Sequence, residues 1–438
     1  MNKYKQLISD SMVYGLGAIT AKAIPFLLIP LFTRIFSPQD YGYISMYSTV
    51  SNILAIFMTA GLDGAQSFFF MEAKNKKNCP IEKVTTSIFQ LRMILGLIVS
   101  IICAIFSPLI VRLFFNQIMP FQYILLVICT TFFSSMISQS IEVFRLIYQP
   151  WRYILISFLQ SSLGPVISIG LIIEFHWYLT GYFAGFAIAS IIVTFYGWLA
   201  TRKYRYWYTL ETDLWRPFLQ FGAVFIPSGL LIWILSGADR WFVLRILGAK
   251  NLGIYAVGAQ ISTLIALAVT IFRQAWWPVA MDAIHHDDGP EFFRKIALWY
   301  VGLGSLGAVL ITFLSPYLIR LLAPSAYYSG WRVVGPMAWS SIFYGFYLIG
   351  GMGIFKSRKT YLNFFIDIIS VTVNITLNLI LIPLMGIMGA AIATALSIGI
   401  SNLITMNISN RYYPVKWQWA YYGLFMTLSL GCIVWLLI

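Results

Sequence analysis

Residues 33–45 read TRIFSPQDYGYIS, and residues 244–256 read LRILGAKNLGIYA. Aligned at an offset of 211 residues, the two stretches place Gly42 on Gly253. Each stretch follows directly on a long apolar run. Because self-similarity at a long, fixed separation indicates a repeated structural unit, this pair predicts a chain built from two copies of one fold.

The composition indicates the kind of unit that is repeated. Of the 438 residues, 60% are hydrophobic and only 10% are charged, and the mean hydropathy is +0.81. A soluble domain carries about 25% charged residues, so this chain lacks the polar side chains to cover a surface in water. Its apolar runs are continuous and long enough to cross a hydrocarbon core, which favours helices over barrel strands. We predict an all-α membrane protein whose thirteen candidate spans are 11–33, 41–62, 85–106, 121–144, 153–173, 178–200, 217–239, 252–274, 293–314, 332–354, 361–383, 387–409 and 418–438.

Two further matches extend the repeat over six spans. SPLIVRL at 107–113 aligns with SPYLIRL at 315–321 at an offset of 208, and the same offset superposes Gly181 on Gly389. We therefore predict a six-helix lobe at 1–205, a second lobe at 206–412 and an additional transmembrane helix at 413–438. An even number of spans gives both lobes the same orientation, and paired lobes of this kind favour a transporter with a cleft between them.

The first span also resembles a secretory signal peptide, because MNKYKQ is followed by an apolar run and AKA. The run continues through IPFLLIPLF, so an uncleaved span is favoured. The cysteines lack the spacing of a disulfide framework or a metal site, and the HHDD stretch at 285–288, which could bind a metal weakly, is better interpreted as a solvated loop. We expect no metal, no cofactor and no enzymatic activity.

The basic residues indicate the orientation. Nineteen lysines and arginines lie on the same side as the N-terminus in the predicted loops, and six lie on the opposite side. Because cytoplasmic loops carry the excess of basic residues, the N-terminus is predicted to be cytoplasmic. The formal net charge of +14 is then a feature of membrane topology, and no basic stripe with interleaved aromatic residues remains for nucleic acid.

Polar residues recur along single faces of several predicted spans. The eleventh span has Asn363, Asp367 and Asn374 at helical spacing, the second has Asn52 and Asp63, and the fourth has Glu142. Polar side chains seldom face lipid tails, so these faces point toward protein or a cavity. Two interpretations stay open, a substrate cavity and packing between helices. The cavity candidates are Lys22, Asn52, Asp63, Glu142, Asp239, Arg240, Arg273, Asn363, Asp367 and Asn374.

Lys22 is the most deeply placed of these candidates, in GAITAKAIPFLLIPLF at 17–32. A charge near the bilayer centre costs at least about 2.5–3.5 kcal/mol unless it meets water or a partner. Lys22 is therefore expected either to face a cavity or to form an ion pair. Asp239 and Arg240 are adjacent and are expected to point to different sides of their helix. Glu142 is expected either to couple a proton or to pair with Arg145 or Arg92.

Three stretches carry a resemblance to a known family. They are IPLFTRIFSPQDYGYISMYSTVSNILAIFMTAGLDGAQSFFF at 29–70, SGADRWFVLRILGAKNLGIYAVGAQIST at 236–263 and MGIMGAAIAT at 385–394. They resemble the bacterial O-antigen type polysaccharide flippases of the multidrug/oligosaccharidyl-lipid/polysaccharide exporter superfamily. The resemblance implies an inner-membrane protein that turns an undecaprenyl-diphosphate-linked oligosaccharide from the cytoplasmic to the outer leaflet. It also implies alternating access around a cationic central cavity. The expected partners are this lipid-linked oligosaccharide, membrane lipid and other polysaccharide-assembly membrane proteins.

Three other functions compete with this one. A cation-coupled multidrug antiporter has the same architecture, but its cavity would favour carboxylates over Lys22 and Arg273. A flippase for a lipid-linked peptidoglycan precursor differs only in its substrate. A membrane-embedded glycan polymerase or ligase needs a catalytic cluster in a large outer loop, and the predicted outer loops are short.

Overall fold

The computed structural model is helical throughout the part of the chain that it describes, which is 23–437 without 77–78, 116, 118 and 207–208. Short 3₁₀ turns lie at Arg202–Tyr204 and Ser325–Gly330. In chain order the α-helices are α1 (Ile29–Ile35), α2 (Pro38–Thr59), α3 (Leu62–Lys76), α4 (Ile81–Ile105), α5 (Ser107–Phe114), α6 (Phe121–Leu146), α7 (Pro150–Phe175), α8 (Tyr178–Ala200), α9 (Trp215–Ala223), α10 (Phe225–Leu247), α11 (Ala249–Ala283), α12 (Gly289–Leu322), α13 (Trp331–Gly350), α14 (Met352–Lys356), α15 (Tyr361–Met385), α16 (Ile387–Asn410) and α17 (Trp419–Leu437).

Eleven segments in this part of the chain are long and apolar enough to cross a membrane. Each predicted span from 41–62 to 387–409 coincides with one of these segments. The predicted span 418–438 coincides with α17. Most of the predicted span 11–33 lies outside the described residues, and its last part is helical with a turn at Leu28. The all-α membrane fold is confirmed.

The helices extend beyond the predicted spans, and this corrects two of the loops that those spans imply. The loop implied between the predicted spans 252–274 and 293–314 is reduced to residues 284–288, because α11 ends at Ala283 and α12 begins at Gly289. Lys74 and Lys76, which belong to the nineteen basic residues assigned to loops, lie in the last turn of α3 and not in a loop. An apolar run marks only the part of a helix that lies in hydrocarbon. The backbone continues its hydrogen bonding past that point, and charged side chains there reach water.

One long segment is broken in the middle. α2 and α3 meet at Ala60 and Gly61, whose φ angles are 43° and 70°. A Cβ atom on Gly61 would lie 2.3 Å from the carbonyl oxygen of Gly222, so only glycine allows this approach. The break therefore seats α3 against the C-terminal end of α9.

The chain divides into two compact units. The first contains 1–28 and 46–233, and the second contains 29–45 and 234–438, so the boundaries fall within α2 and α10. Corresponding helices of the repeat begin 208 to 211 residues apart; the pairs are α2 with α11, α4 with α12, α6 with α13, α7 with α15 and α8 with α16. The helix starts thus follow the same offsets as the sequence matches.

The second unit contains a reciprocal contact between residues that the repeat makes equivalent. A Cβ on Gly42 would lie 2.0 Å from the carbonyl oxygen of Ala249, and a Cβ on Gly253 would lie 1.8 Å from that of Pro38. Pro38 and Ala249 are themselves related by the offset of 211. Both glycines are therefore required by one backbone crossing of α2 and α11.

The buried cores of the two units both combine aromatic and aliphatic side chains. In the first unit a cluster on α3, α4 and α9 surrounds Phe70 and Phe218, with further aromatic side chains packed against it. In the second unit a cluster that includes α11, α12 and α13 buries Trp276, Phe293 and Phe346 fully or almost fully. Many of the remaining large apolar side chains are exposed, as expected for helices that face lipid.

Candidate functional site

An ion pair is buried among the helices of the first unit. Arg92, on α4, has no exposed side-chain surface, and its Nη2 lies 2.6 Å from Oδ1 of Asp63 on α3. Its Nη1 donates to the carbonyl oxygen of Ser135 on α6, at 2.9 Å. A buried guanidinium is tolerated only when paired and hydrogen bonded, so Arg92 ties three helices together. The Asp63 side chain remains 46% exposed.

A second ion pair lies within α6 and contacts α3 one turn beyond Asp63. Glu142 on α6 is 10% exposed and accepts hydrogen bonds from Ser67 Oγ at 2.5 Å and from Arg145 Nη2 at 2.6 Å. Arg145 itself is half-exposed. Of the two partners expected for Glu142, the structure selects Arg145, while Arg92 pairs with Asp63.

Two glutamines separate the ion pairs. Gln66 Nε2 donates to the carbonyl oxygen of Gln139 at 3.5 Å, and both side chains are fully buried. Within the described structure, the side-chain amide of Gln139, Oε1 of Gln66 and Nε of Arg92 have no hydrogen-bond partner. This cluster on α3, α4 and α6 therefore retains unused donors and acceptors beside its charges.

The second unit holds a different arrangement around Asp239, on α10. Asp239 is 2% exposed and accepts a hydrogen bond from the hydroxyl of Tyr255 on α11. The guanidinium of Arg240 lies 3.8 Å from the same carboxylate, and its Nη1 donates to the carbonyl oxygen of Ser236. Asp239 is buried and Arg240 is 27% exposed, so the two residues leave the helix on different sides, but the long arginine side chain folds back along its own helix to reach the carboxylate.

The polar face of α15 divides into two parts. Asn374 is fully buried, donates to Ser397 of α16 at 3.0 Å and accepts from Asn378 at 3.0 Å. Asn363 and Asp367, nearer the start of α15, are half-buried. The middle of this face therefore packs against α16, as interhelical hydrogen bonding predicts.

The other candidates lie apart from these clusters. Asn52 on α2 and Arg273 on α11 are exposed, and Nη1 of Arg273 donates to the hydroxyl of Tyr344 at 3.4 Å. Lys22 lies outside the described residues. The structure brings Asp63 and Glu142 into one cluster and Asp239 and Arg240 into another, while Asn374 belongs to a packing contact.

The residues that complete the clusters were not among the predicted site residues. Arg92 is the clearest omission, and it had a sequence signature, since it is a charge within the apolar run 85–106. Ser67, Gln139 and Tyr255 had none, because polar and aromatic residues of these types are frequent in packed helices. The clusters can bind charge and hydrogen-bonding groups. Among the described residues, no group of three metal-ligating side chains is present.

Comparison with known families gives one match over most of the chain. The model of the family described as polysaccharide biosynthesis protein matches residues 7–283. A protein of the Lsg locus of Haemophilus influenzae is 24% identical over 285 residues, which are 64% of this chain and 67% of that protein.

Solved structures share the fold at low identity. A lipid II flippase, MurJ, in an inward closed conformation superposes with a TM-score of 0.73 at 16% identity, covering 98% of this chain and 91% of the flippase. An inward-facing multidrug resistance transporter of the MATE family superposes with a TM-score of 0.69 at 14% identity, covering 93% and 97% of the two chains. At these identities the likeness establishes the fold alone.

Proposed function

We propose, from the premise that this chain belongs to the polysaccharide biosynthesis protein family, that it moves a lipid-linked oligosaccharide across the membrane. One observation carries the proposal: this chain, which matches the family model, has the helical fold of a solved lipid II flippase over 98% of its length. The same observation supports the resemblance to polysaccharide flippases of the exporter superfamily. The chain is a multi-pass membrane protein, and we propose the bacterial inner membrane as its location.

The proposed substrate is an oligosaccharide on undecaprenyl diphosphate, turned from the cytoplasmic to the outer leaflet. A diphosphate needs cationic partners, and sugars need many polar ones. Lys22 and Arg273 are proposed to supply charge, and Asn52, Asn363 and Asp367 to supply polar contacts. Alternating access by two six-helix lobes follows from the repeat. The lobes proposed are 1–205 and 206–412, with 413–438 appended.

A deletion strain tests the function. The strain lacking this gene is expected to lose its surface polysaccharide and to retain the lipid-linked repeat unit in the inner leaflet, and the wild-type gene should reverse both effects. The Lys22→Ala variant is expected to be expressed normally but not to restore the surface polysaccharide, because the substrate diphosphate would lose the ammonium group that binds it. The control is Lys250→Ala, which removes an exposed lysine at the start of α11.

The outcomes separate this function from its competitors. Normal surface polysaccharide in the deletion strain would refute the proposal. Rescue of a strain depleted of its peptidoglycan-precursor flippase would assign that substrate instead. Drug sensitivity of the deletion strain without loss of polysaccharide would favour an antiporter.

The orientation can be tested with Cys79, which lies between α3 and α4 and is a free thiol. We propose that this loop is cytoplasmic, as the distribution of basic residues indicates. A membrane-impermeant maleimide should label Cys79 in inverted vesicles and leave it unlabelled in intact cells. Labelling in intact cells would invert the orientation.

A further inference from the structure

A cleft outside the charged clusters opens between α4, α6 and α8 of the first unit. Its volume is about 590 Å³. Phe132, Phe133 and Met136 form its floor, and its rims carry Met93 and Ile191, which are 37% and 42% exposed. A cleft with apolar walls and exposed apolar rims on membrane-spanning helices opens toward lipid.

Arg205 closes one end of this cleft. It follows the last turn of α8 and is only 8% exposed. Its Nη2 donates to the carbonyl oxygen of Trp198 at 2.7 Å and to Thr201 Oγ1 at 2.6 Å, and the guanidinium lies 4.2 Å from the ring centroid of Phe89. Burial lowers the pKa of Arg205 to about 10, so it stays charged near neutral pH.

The positive charge of Arg205 is not neutralised by a carboxylate in the described part of the chain. Its Nη1 is buried and has no hydrogen-bond partner there. The neighbouring carboxylates are engaged elsewhere, since Asp213 lies 2.9 Å and Glu211 3.4 Å from Nζ of Lys83. A buried cation without an anion is unfavourable, so this end of the cleft is complementary to a negatively charged group.

Hydrogen bonds hold the connecting segment that carries Arg205 against α4. The backbone N–H of Tyr206 donates to Thr86 Oγ1 at 2.8 Å. Gln90 donates to the carbonyl oxygen of Thr209 at 2.7 Å and accepts from the backbone N–H of Glu211 at 2.9 Å. The guanidinium is therefore fixed at the mouth of the cleft.

The cleft runs inward from the side of the membrane on which Arg205 lies. α6 and α8 both end on this side, because α7 runs back between them. The lining residues run from Ile191 to Trp198 on α8 and from Thr86 to Met93 on α4, which at 1.5 Å per residue is about 10 Å along each helix. A cation beyond the end of α8 thus leads into an apolar cleft that can take the first part of an acyl chain.

We propose that this cleft is a binding site for one anionic phospholipid, with its phosphate on Arg205 and one acyl chain along Phe133 and Ile191. A soluble anion would leave the apolar walls uncovered, and a neutral lipid would leave the guanidinium unpaired. The site goes beyond the proposed function, because it does not require that the translocated substrate bind there.

Native mass spectrometry of the full-length protein in detergent, titrated with phosphatidylglycerol, tests the site. We expect one tightly bound phosphatidylglycerol per chain and weaker binding of phosphatidylcholine. Arg205→Met should lower the affinity about tenfold or more, because it removes a charge-assisted contact to phosphate. Ile191→Trp should lower it as well by filling the cleft from its exposed rim. Arg202→Met removes an exposed arginine from the same segment and should leave the affinity unchanged.

The remaining outcomes are equally decisive. Equal binding of phosphatidylglycerol to wild-type, Arg205→Met and Ile191→Trp proteins would overturn the site. Displacement of the lipid by millimolar inorganic phosphate would identify a soluble-anion site and overturn the proposal. Displacement by equimolar undecaprenyl diphosphate would assign the cleft to the translocated substrate, also against the proposal. If the Arg205→Met protein does not fold, the affinity of the Ile191→Trp protein for phosphatidylglycerol still tests the site.

Discussion

The two units share a helix arrangement but place their buried polar groups between different helices. The first unit has its charges where α3, α4 and α6 meet, and the second has neutral residues at the equivalent positions. Aligned at the offsets of their helices, the pairs are Asp63 with Gln274, Arg92 with Tyr300 and Glu142 with Met352. The duplication therefore repeats the backbone, while the charged cluster on α3, α4 and α6 belongs to the first unit.

One function of Arg92 is retained by its uncharged counterpart. Arg92 donates to a backbone carbonyl of α6, and the hydroxyl of Tyr300 donates to the carbonyl oxygen of Ile342 on α13 at 3.2 Å. In both units a buried polar group on one helix thus satisfies a carbonyl of the next. Only the arginine also recruits a carboxylate. Buried charge is costly in a membrane, so Arg92 needs this carboxylate, as Asp239 of the second unit needs Tyr255 and Arg240.

The difference in polarity has the opposite sense between α7 and α8 of the first unit and α15 and α16 of the second. Asn374 and Ser397 bond across α15 and α16, and the equivalent positions on α7 and α8 are Leu163 and Ala189. At these two positions the first unit has apolar side chains, although Ser168 of α7 donates to the carbonyl oxygen of Tyr182 on α8 at 2.8 Å. The second unit has amide and hydroxyl contacts at this interface, in addition to the Asp239 cluster between α10 and α11.

The largest effect should come from breaking the charged interface. Asp63→Asn leaves Arg92 buried without its counter-ion, and we expect a loss of about 3 kcal/mol in the free energy of unfolding. This is the low end of the usual range, because water can reach the half-exposed Asp63. The measurement is an unfolding titration in detergent, with Gln274→Ala as the matched variant of the second unit.

The double variant Asp63→Asn/Arg92→Met sharpens this prediction. It should recover most of the lost stability, because no charge is then left unpaired. Equal stability of Asp63→Asn and wild type would show that the pair contributes nothing to the fold.

Substitution of the glycines at the crossing of α2 and α11 should give the next largest loss in the free energy of unfolding. The loss should be equal for the glycine of each repeat. Gly42→Ala and Gly253→Ala each bring a Cβ to 2.0 Å or less from a carbonyl oxygen, so the backbones must separate. We expect a cost of about 2 kcal/mol for each. Gly423→Ala is the control, because a Cβ there meets no atom within 4 Å. A large difference between the two glycine variants would contradict the local symmetry.

A smaller effect is expected at the amide interface. Asn374→Ala removes the side-chain bonds to Asn378 and Ser397, while both keep a bond to a backbone carbonyl of their own helix. We expect a cost of about 1 kcal/mol, since hydrogen bonds between membrane helices are individually weak. Leu163→Ala is the matched change in the first unit. If single cysteines at 374 and 378 react with a small water-soluble thiol reagent, this face lines water, and the packing interpretation fails.

The smallest effect is expected for Glu142→Gln. The neutral side chain keeps an acceptor for Ser67, and Arg145 is half-exposed and can turn to water. A loss of about 0.5–1 kcal/mol is therefore expected in the same titration. A loss as large as that of Asp63→Asn would show that the two ion pairs act as one network.

Much of the fold was predictable because the membrane imposes simple rules. In a membrane, a segment must satisfy all its backbone hydrogen bonds internally, which a helix does, so each apolar run of sufficient length marks one helical span. The repeat was visible because glycines at backbone crossings admit no substitute, as Gly42 and Gly253 illustrate. The extension of helices past the apolar runs was not visible, since charged residues suit both helix ends and loops.

The candidate site was predictable only in part. Helical phase identified Asp63 and Glu142 as inward-facing charges, and the structure gives each a partner. Phase did not distinguish a cavity from packing at Asn374, because both place an amide away from lipid. The roles of Lys22 and of the proposed lobes stay predictions.

The sequence alone determined the class of the protein, the position of its helices and the duplication, because these depend on local hydrophobicity and on spacing along the chain. Only the tertiary structure decided which charges meet. Asp63 and Arg92 are 29 residues apart, Ser67 and Glu142 are 75 apart, and Gln90 and Thr209 are 119 apart. Periodicity fixes the face of a helix on which a side chain lies, but it does not fix which neighbouring helix that face contacts. The pairing of Arg92 and the isolation of Arg205 therefore follow from packing.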